Sequence, residues 1–366
     1  MKSYLTLALL LATAPTILPA QSFWDSQLRI GPQFYSYDIK APINEKISQV
    51  AFPMFVVVPV LPALSIDIGT AFATANHERL AVDSTGAPVT IKSSLSGLTD
   101  TQLRANYTFG QDLVVVTAGL NLPSGSATLK PEEFAAATRI GSDFLTFPVS
   151  GFGSGFGVTG GVAFARPAGM WNLGVGASVS RAGEYEPFED ASGTATKFQP
   201  GPEYRARFGA DHPLGTGRIS VGFTFSKIGD DRANAAVYNT GDRYIGQVAV
   251  SNTTAKGVDY SVVLWNLYRT SGTLIDQSPS PSGNITNAML VFGVRGPADV
   301  MVEPSIESRL WTQQGSKTSV LGTFGIRLFA NRGNWAVVPG FGFTIGTLEA
   351  ATMTGFRSTL AVRIGG

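Results

Sequence analysis

The sequence predicts an all-β protein: a closed antiparallel transmembrane β-barrel of about sixteen strands, with fourteen possible. Three observations predict it. Apolar and polar residues alternate with period two along most of the chain, as in strands whose two faces meet different surroundings. Only 14% of residues are charged, whereas soluble domains carry about a quarter. Finally, 44% of the chain is hydrophobic and 42 residues are glycine, yet no run of ~20 apolar residues offers a helical span. A sheet that meets lipid reconciles these facts.

The N-terminus reads as an export address. Lys2 supplies a positive start, residues 5–12 are a short apolar run, and Leu18-Pro19-Ala20 ends in a small residue before Gln21. A secretory signal peptide is therefore predicted over 1–20, with the barrel over 21–366. Cysteine is absent, so disulfides do not hold the barrel together. Lys and Arg number 27 against 26 Asp and Glu. That balance excludes a nucleic-acid footprint and a polybasic lipid-binding tail.

Alternation is cleanest in four windows. In residues 102–109, Leu103, Ala105, Tyr107 and Phe109 oppose Gln102, Arg104, Asn106 and Thr108. Residues 171–180 and 218–225 repeat the pattern, and near the end Phe356, Leu360, Val362 and Ile364 oppose Arg357, Thr359 and Arg363. Strands are predicted at 27–38, 47–58, 62–75, 98–109, 112–122, 156–166, 170–182, 200–211, 216–228, 242–255, 257–269, 287–297, 300–313, 317–329, 334–346 and 353–364. Short turns alternate with longer polar excursions, as outer-membrane barrels require with short turns in the periplasm and long loops outside. The connection 313–316 departs from this, being short where a long one is due. A soluble β-sandwich would also alternate, but its water-facing side is charge-rich, whereas the polar face here is mainly Gly, Ser, Thr and Asn. Trp171 and Trp335 each follow a short turn on the apolar face, and Tyr107 and Phe109 approach the same edge, which predicts an interfacial aromatic girdle.

The glycine run 151–161, GFGSGFGVTGG, is followed by the strand-like VAF rather than by a helix, so it lacks the context of a dinucleotide-binding turn. Here Gly157 and Gly161 are expected to leave lumen space. The run closes the longest loop, 123–155, which carries a predicted short helix at 131–139 and an apolar piece around Phe144, Leu145, Phe147 and Pro148. Solvated loops rarely expose such a piece. With Phe134 it is expected to fold into the lumen as a constriction or across the mouth as a lid; the alternative is that it covers a neighbour's rim.

Only His77 and His212 exist. No metal site and no catalytic residue is predicted. His77, beside Glu78, reads as an exposed loop histidine, and His212, after Asp211, as part of a turn. Asn252 and Asn284 head glycosylation-like triplets that carry no weight in a bacterial barrel. Period-two parity aims Arg29, Asp67, Arg104, Glu203, Arg205, Arg207, Arg218, Glu303, Glu307, Arg309, Arg327, Arg357 and Arg363 inward, because a charge facing lipid at mid-depth costs roughly 2–4 kcal/mol. These candidate pore-lining residues either favour anionic solutes or brace the wall by pairing with one another. Both readings stay open.

Residues 98–103 (LTDTQL), 119–125 (GLNLPSG), 147–149 (FPV) and 153–157 (GSGFG) resemble the outer-membrane channels associated with aromatic-compound (phenol) degradation pathways, distant relatives of the long-chain fatty-acid transporters. The resemblance covers about 95–230 and implies a barrel that passes small, often hydrophobic molecules. Two features depart from the relatives: the first strand starts within about ten residues of Gln21, where the fatty-acid transporters carry a longer hatch, and the chain lacks a terminal aromatic residue. The expectation is a non-enzymatic, cofactor-free channel of the bacterial outer membrane for passive uptake of anionic, aromatic or hydrophobic solutes. Its expected partners are outer-membrane lipid, lipopolysaccharide and the assembly machinery, and its oligomeric state is open. The alternative is a barrel enzyme, or a surface adhesin with a closed lumen.

Overall fold

The computed structural model describes residues 28–110, 113–296 and 300–364. The expected signal peptide at 1–20 lies outside them. Sixteen staves close into one antiparallel barrel: β1 (Leu28–Ile30, continued by Gln33–Ile39), β2 (Glu45–Leu61), β3 (Leu64–Val82), β4 (Pro88–Leu98, continued by Thr101–Phe109), β5 (Val114–Leu122), β6 (Gly157–Ala168), β7 (Trp171–Ala182), β8 (Glu203–Leu214), β9 (Gly217–Ile228), β10 (Arg243–Thr253), β11 (Asp259–Arg269), β12 (Gly283–Arg295), β13 (Met301–Gln313), β14 (Ser319–Arg332), β15 (Trp335–Leu348) and β16 (Ala351–Ile364). Each stave pairs with its chain neighbours, and β16 closes on β1 through registers such as Tyr35↔Arg357 and Arg29↔Arg363. Closure removes the unpaired edge that hydrocarbon would not tolerate. All sixteen predicted strands correspond to staves. The windows at 62–75 and 98–109 fall short, because β3 and the first part of β4 rise well beyond them as a hairpin.

Outward positions are apolar and exposed: Phe324, Phe341, Phe343, Ile345 and Phe356 lie on one patch of β14–β16. Trp171 and Trp335 are exposed at the short-turn end, where the rings of Tyr107 and Phe109 meet at a tilt, 4.5 Å apart. Phe343, on the outward face between Phe324 and Phe356, is half exposed and central in its strand. Substituting Phe343→Arg is expected to lower barrel stability by roughly 2–4 kcal/mol, read as a reduced urea midpoint of protein folded into liposomes. An unchanged midpoint would mean that this face does not meet lipid.

At the long-loop end, Asp83, Asp190 and Asp276 close three turns in the same way. Each carboxylate accepts the backbone N–H and hydroxyl of the Ser or Thr two residues on. These bonds, the hydroxyl first, hold the three carboxyls below their ordinary range. A four-stranded accessory sheet (Tyr185–Glu189, Ala195–Gln199, Asp231–Ala233, Ala236–Tyr238) stands above the barrel on two of the long loops.

Candidate functional site

The loop between β5 and β6 folds into the barrel from the long-loop end. It contains a 3-10 turn, Pro131–Glu133, and the helix α1, Phe134–Ile140, close to the helix predicted at 131–139. Phe144, Leu145, Phe147, Val149 and Phe152 are buried against inward-facing residues of β1–β4, β12, β14 and β16, among them Tyr37, Ile47, Leu95, Ile285, Leu321 and Met353. The wall makes room for them with small residues: Ala51, Ala71, Ala73, Ala75 and Ala351 are at most 7% exposed. Pro148 is half-buried beside them. Phe134 departs from the expectation. It is exposed and meets Phe188 of the accessory sheet edge-on at 6.3 Å, because α1 lies along the rim with its Ala136–Ile140 face inward.

The loop is tied to the wall mainly through its backbone. Gln49 donates from Nε2 to the Val149 carbonyl at 2.7 Å and accepts the Val149 N–H at 3.0 Å. The Tyr37 hydroxyl donates to the Leu145 carbonyl at 3.0 Å. Arg309 Nη1 donates to the Phe144 carbonyl at 2.6 Å and to Thr146 Oγ1 at 2.8 Å. Both loop ends meet at Asp100, where β4 is interrupted. The Asp100 carboxylate accepts from Gly125 N, Ser154 N, Ser154 Oγ and Asn121 Nδ2 at 2.7–3.2 Å. Three of the four sequence stretches that carry the family resemblance therefore converge on one buried carboxylate.

Seven of the inward charges form short contacts. Arg205 pairs with Glu203 at 2.6 Å, Arg327 with Glu303 at 2.8 Å, and Glu307 with Arg309 at 2.6 Å and Arg357 at 3.3 Å. Asp67 accepts from Asn106 at 3.0 Å and stands opposite Arg104 in register. Arg327 and Arg363 both lie over the Phe329 ring, 5.5 and 5.8 Å from its centre, with Arg29 in register beside Arg363. Arg218 is exposed at the short-turn mouth, apart from the rest. A Cβ at Gly342 would sit 2.5 Å from Arg357 Nε, so glycine there lets the guanidinium lie flat on the wall.

Beside the seated loop, the wall of β5–β7 borders an open cavity of about 480 Å³. Gly157 and Gly161 of the glycine run line it, together with Asp67, Arg104, Glu203, Arg205 and Arg207.

Both histidines differ from expectation. His77 is only 4% exposed, because α1 covers it. Its Nε2 lies 3.4 Å from Glu45, which also binds Arg139 of α1 at 2.7 Å. His212 belongs to β8 and packs against Trp171 at 4.8 Å, so it is part of the aromatic girdle and not of a turn. Sequence reading singled out neither Gln49, Tyr37 nor Glu45. Their inward parity was available, but the loop groups they meet, the Val149 and Leu145 backbone and the Arg139 side chain, lie about a hundred residues away.

A model of the family described as "Putative MetA-pathway of phenol degradation" matches residues 44–273. That range contains the resemblance at about 95–230. Among solved structures, OprB of Pseudomonas putida is 9% identical over 92% of this chain and 93% of that chain, with a TM-score of 0.45. An outer membrane channel of Pseudomonas putida F1 is 10% identical over 95% and 99%, with a TM-score of 0.38. OmpT, an outer membrane protein of Vibrio cholerae, is 9% identical over 94% and 99%, with a TM-score of 0.41. No curated protein matches the chain.

Proposed function

Because the chain belongs to the family described as a putative MetA pathway of phenol degradation, we propose that its barrel is an outer-membrane channel for passive uptake of small molecules, preferring anionic solutes. The observation that carries this reading is the open side of the lumen. The inward loop fills the sector between β12 and β4, while the Gly-, Ser- and Thr-rich wall of β5–β7 leaves an open cavity beside it. Nine of the thirteen inward charges named above are arginines. Against them stand four carboxylates, Asp67, Glu203, Glu303 and Glu307, so this set of side chains carries an excess of positive charge, and a positive field favours anions. The loop acts as the constriction. With the loops outside, both chain ends face the periplasm.

Planar-bilayer recordings under a KCl gradient test this. Stepwise conductance is expected, with a reversal potential on the chloride side. Absence of conductance, or a reversal potential on the potassium side, contradicts the reading.

A further inference from the structure

The cavity beside the loop is more than a gap. On β5–β7 it is bounded by Gly119, Thr159, Gly161, Gly176, Ser178 and Ser180, none of which reaches far into the lumen. Arg104 of β4 flanks it on one side, and Arg205 and Arg207 of β8 on the other. The three arginines lie within electrostatic range of one another. Two carboxylates accompany them, and both are engaged: Glu203 with Arg205 at 2.6 Å, and Asp67 with Asn106 at 3.0 Å. Arg181 lines it as well, so the cavity gathers four arginines and two carboxylates, and an anion between Arg104 and Arg207 would relieve their mutual repulsion.

One further lining residue sets the character of that anion. Phe55 points into the lumen from β2, 42% exposed although its parity is inward. It leans over Gly69, where a Cβ would lie 3.4 Å from its ring. Register places Phe55 against Gly69 and Arg104 against Asp67, two residues along the same strand, so the ring and the Arg104 guanidinium lie on neighbouring rows of one wall. An aromatic surface beside a guanidinium suits a solute with an apolar body and a carboxylate head. The volume, about 480 Å³, falls in the range of small-molecule sites, ~300–1,000 Å³.

We propose that this cavity is a saturable binding site for small organic monocarboxylates. The carboxylate is held between Arg104 and Arg207, and the apolar body lies against Phe55. The proposal rests on the channel reading for its transport role, but binding can be measured without transport. A site within a channel must also release its solute, so the affinity is modest.

Calorimetry on detergent-solubilised protein, with benzoate, its neutral isostere benzamide, acetate and inorganic phosphate as probes, tests the site. Benzoate is expected to bind saturably. Acetate and phosphate bind more weakly for want of an apolar body, and benzamide for want of charge. Arg104→Gln and Arg207→Gln are each expected to weaken benzoate binding about tenfold, the scale of one charge-assisted hydrogen bond. Phe55→Ala brings benzoate down toward acetate. Heat-modifiable gel mobility establishes that each variant is folded. If an arginine variant does not fold, Ser178→Leu, which fills the cavity from the opposite wall, provides the same test.

Equal binding of benzoate and benzamide, preference for phosphate, or benzoate binding unaffected by these variants overturns the proposal. Conductance in bilayers is recorded in parallel. Benzoate binding without conductance overturns the channel reading and keeps the site; conductance without benzoate binding does the reverse.

Discussion

Replacing residues 131–149 with a short Gly-Ser linker is expected to raise single-channel conductance several-fold while the barrel stays folded. A sixteen-strand barrel encloses an aqueous lumen when nothing fills it. Here α1 and the apolar segment Phe144–Val149 occupy a large sector of that lumen. The wall does not depend on the loop for its own closure, since every stave pairs with two neighbours. Removing the loop therefore widens the passage without opening a sheet edge. Weaker anion selectivity should accompany the larger current, because a wider lumen places more solvent between solute and arginine. Unchanged conductance in planar bilayers would show that the loop does not narrow the route.

Substituting Glu307→Leu is expected to cost about 3–5 kcal/mol of stability, the scale for removing one partner of a buried ion pair. Glu307 is 8% exposed. One oxygen accepts from Arg309 at 2.6 Å and from Asn287 at 2.7 Å, and the other from Arg357 at 3.3 Å. Without it two guanidiniums remain enclosed and repel each other. Arg309 is also the residue that holds the Phe144 carbonyl and Thr146, so the loss reaches the loop. The variant should show a lowered thermal transition on heat-modifiable gels together with larger, noisier currents. Combining it with the loop replacement separates the two effects. If the noise arises from a loosened loop, the double variant is quiet, although still less stable. A Glu307→Leu protein with wild-type melting would show that the network adds nothing.

The staves were legible because each meets two solvents, and alternation records that difference residue by residue. The same parity aims the thirteen charges inward, and the i, i+2 pairs Glu203–Arg205 and Glu307–Arg309 can be read from it. Cross-strand partnerships were not legible. Glu303–Arg327 and Glu307–Arg357 depend on strand register, which no single strand encodes. His77 was misread for a related reason: its shielding comes from α1, a segment that is local in itself but whose docking site is not. The helix was visible from the Pro131-Glu132-Glu133 start and the alanines that follow, whereas its orientation, with Phe134 turned toward Phe188, is set by the accessory sheet above it. Asp100 stood within the family-like stretch 98–103, but its role became visible only where β4 breaks.

The seat of the inward loop has a consequence for the order of assembly. Tyr37 and Met353 come from the two ends of the chain and become neighbours only when β1 zips onto β16. Before that seam forms, half of the cradle is missing and the apolar segment has nowhere to rest. Docking of the loop is thus a late event that reports a completed cylinder, and a nascent chain with an open seam presents Phe144–Val149 to its surroundings.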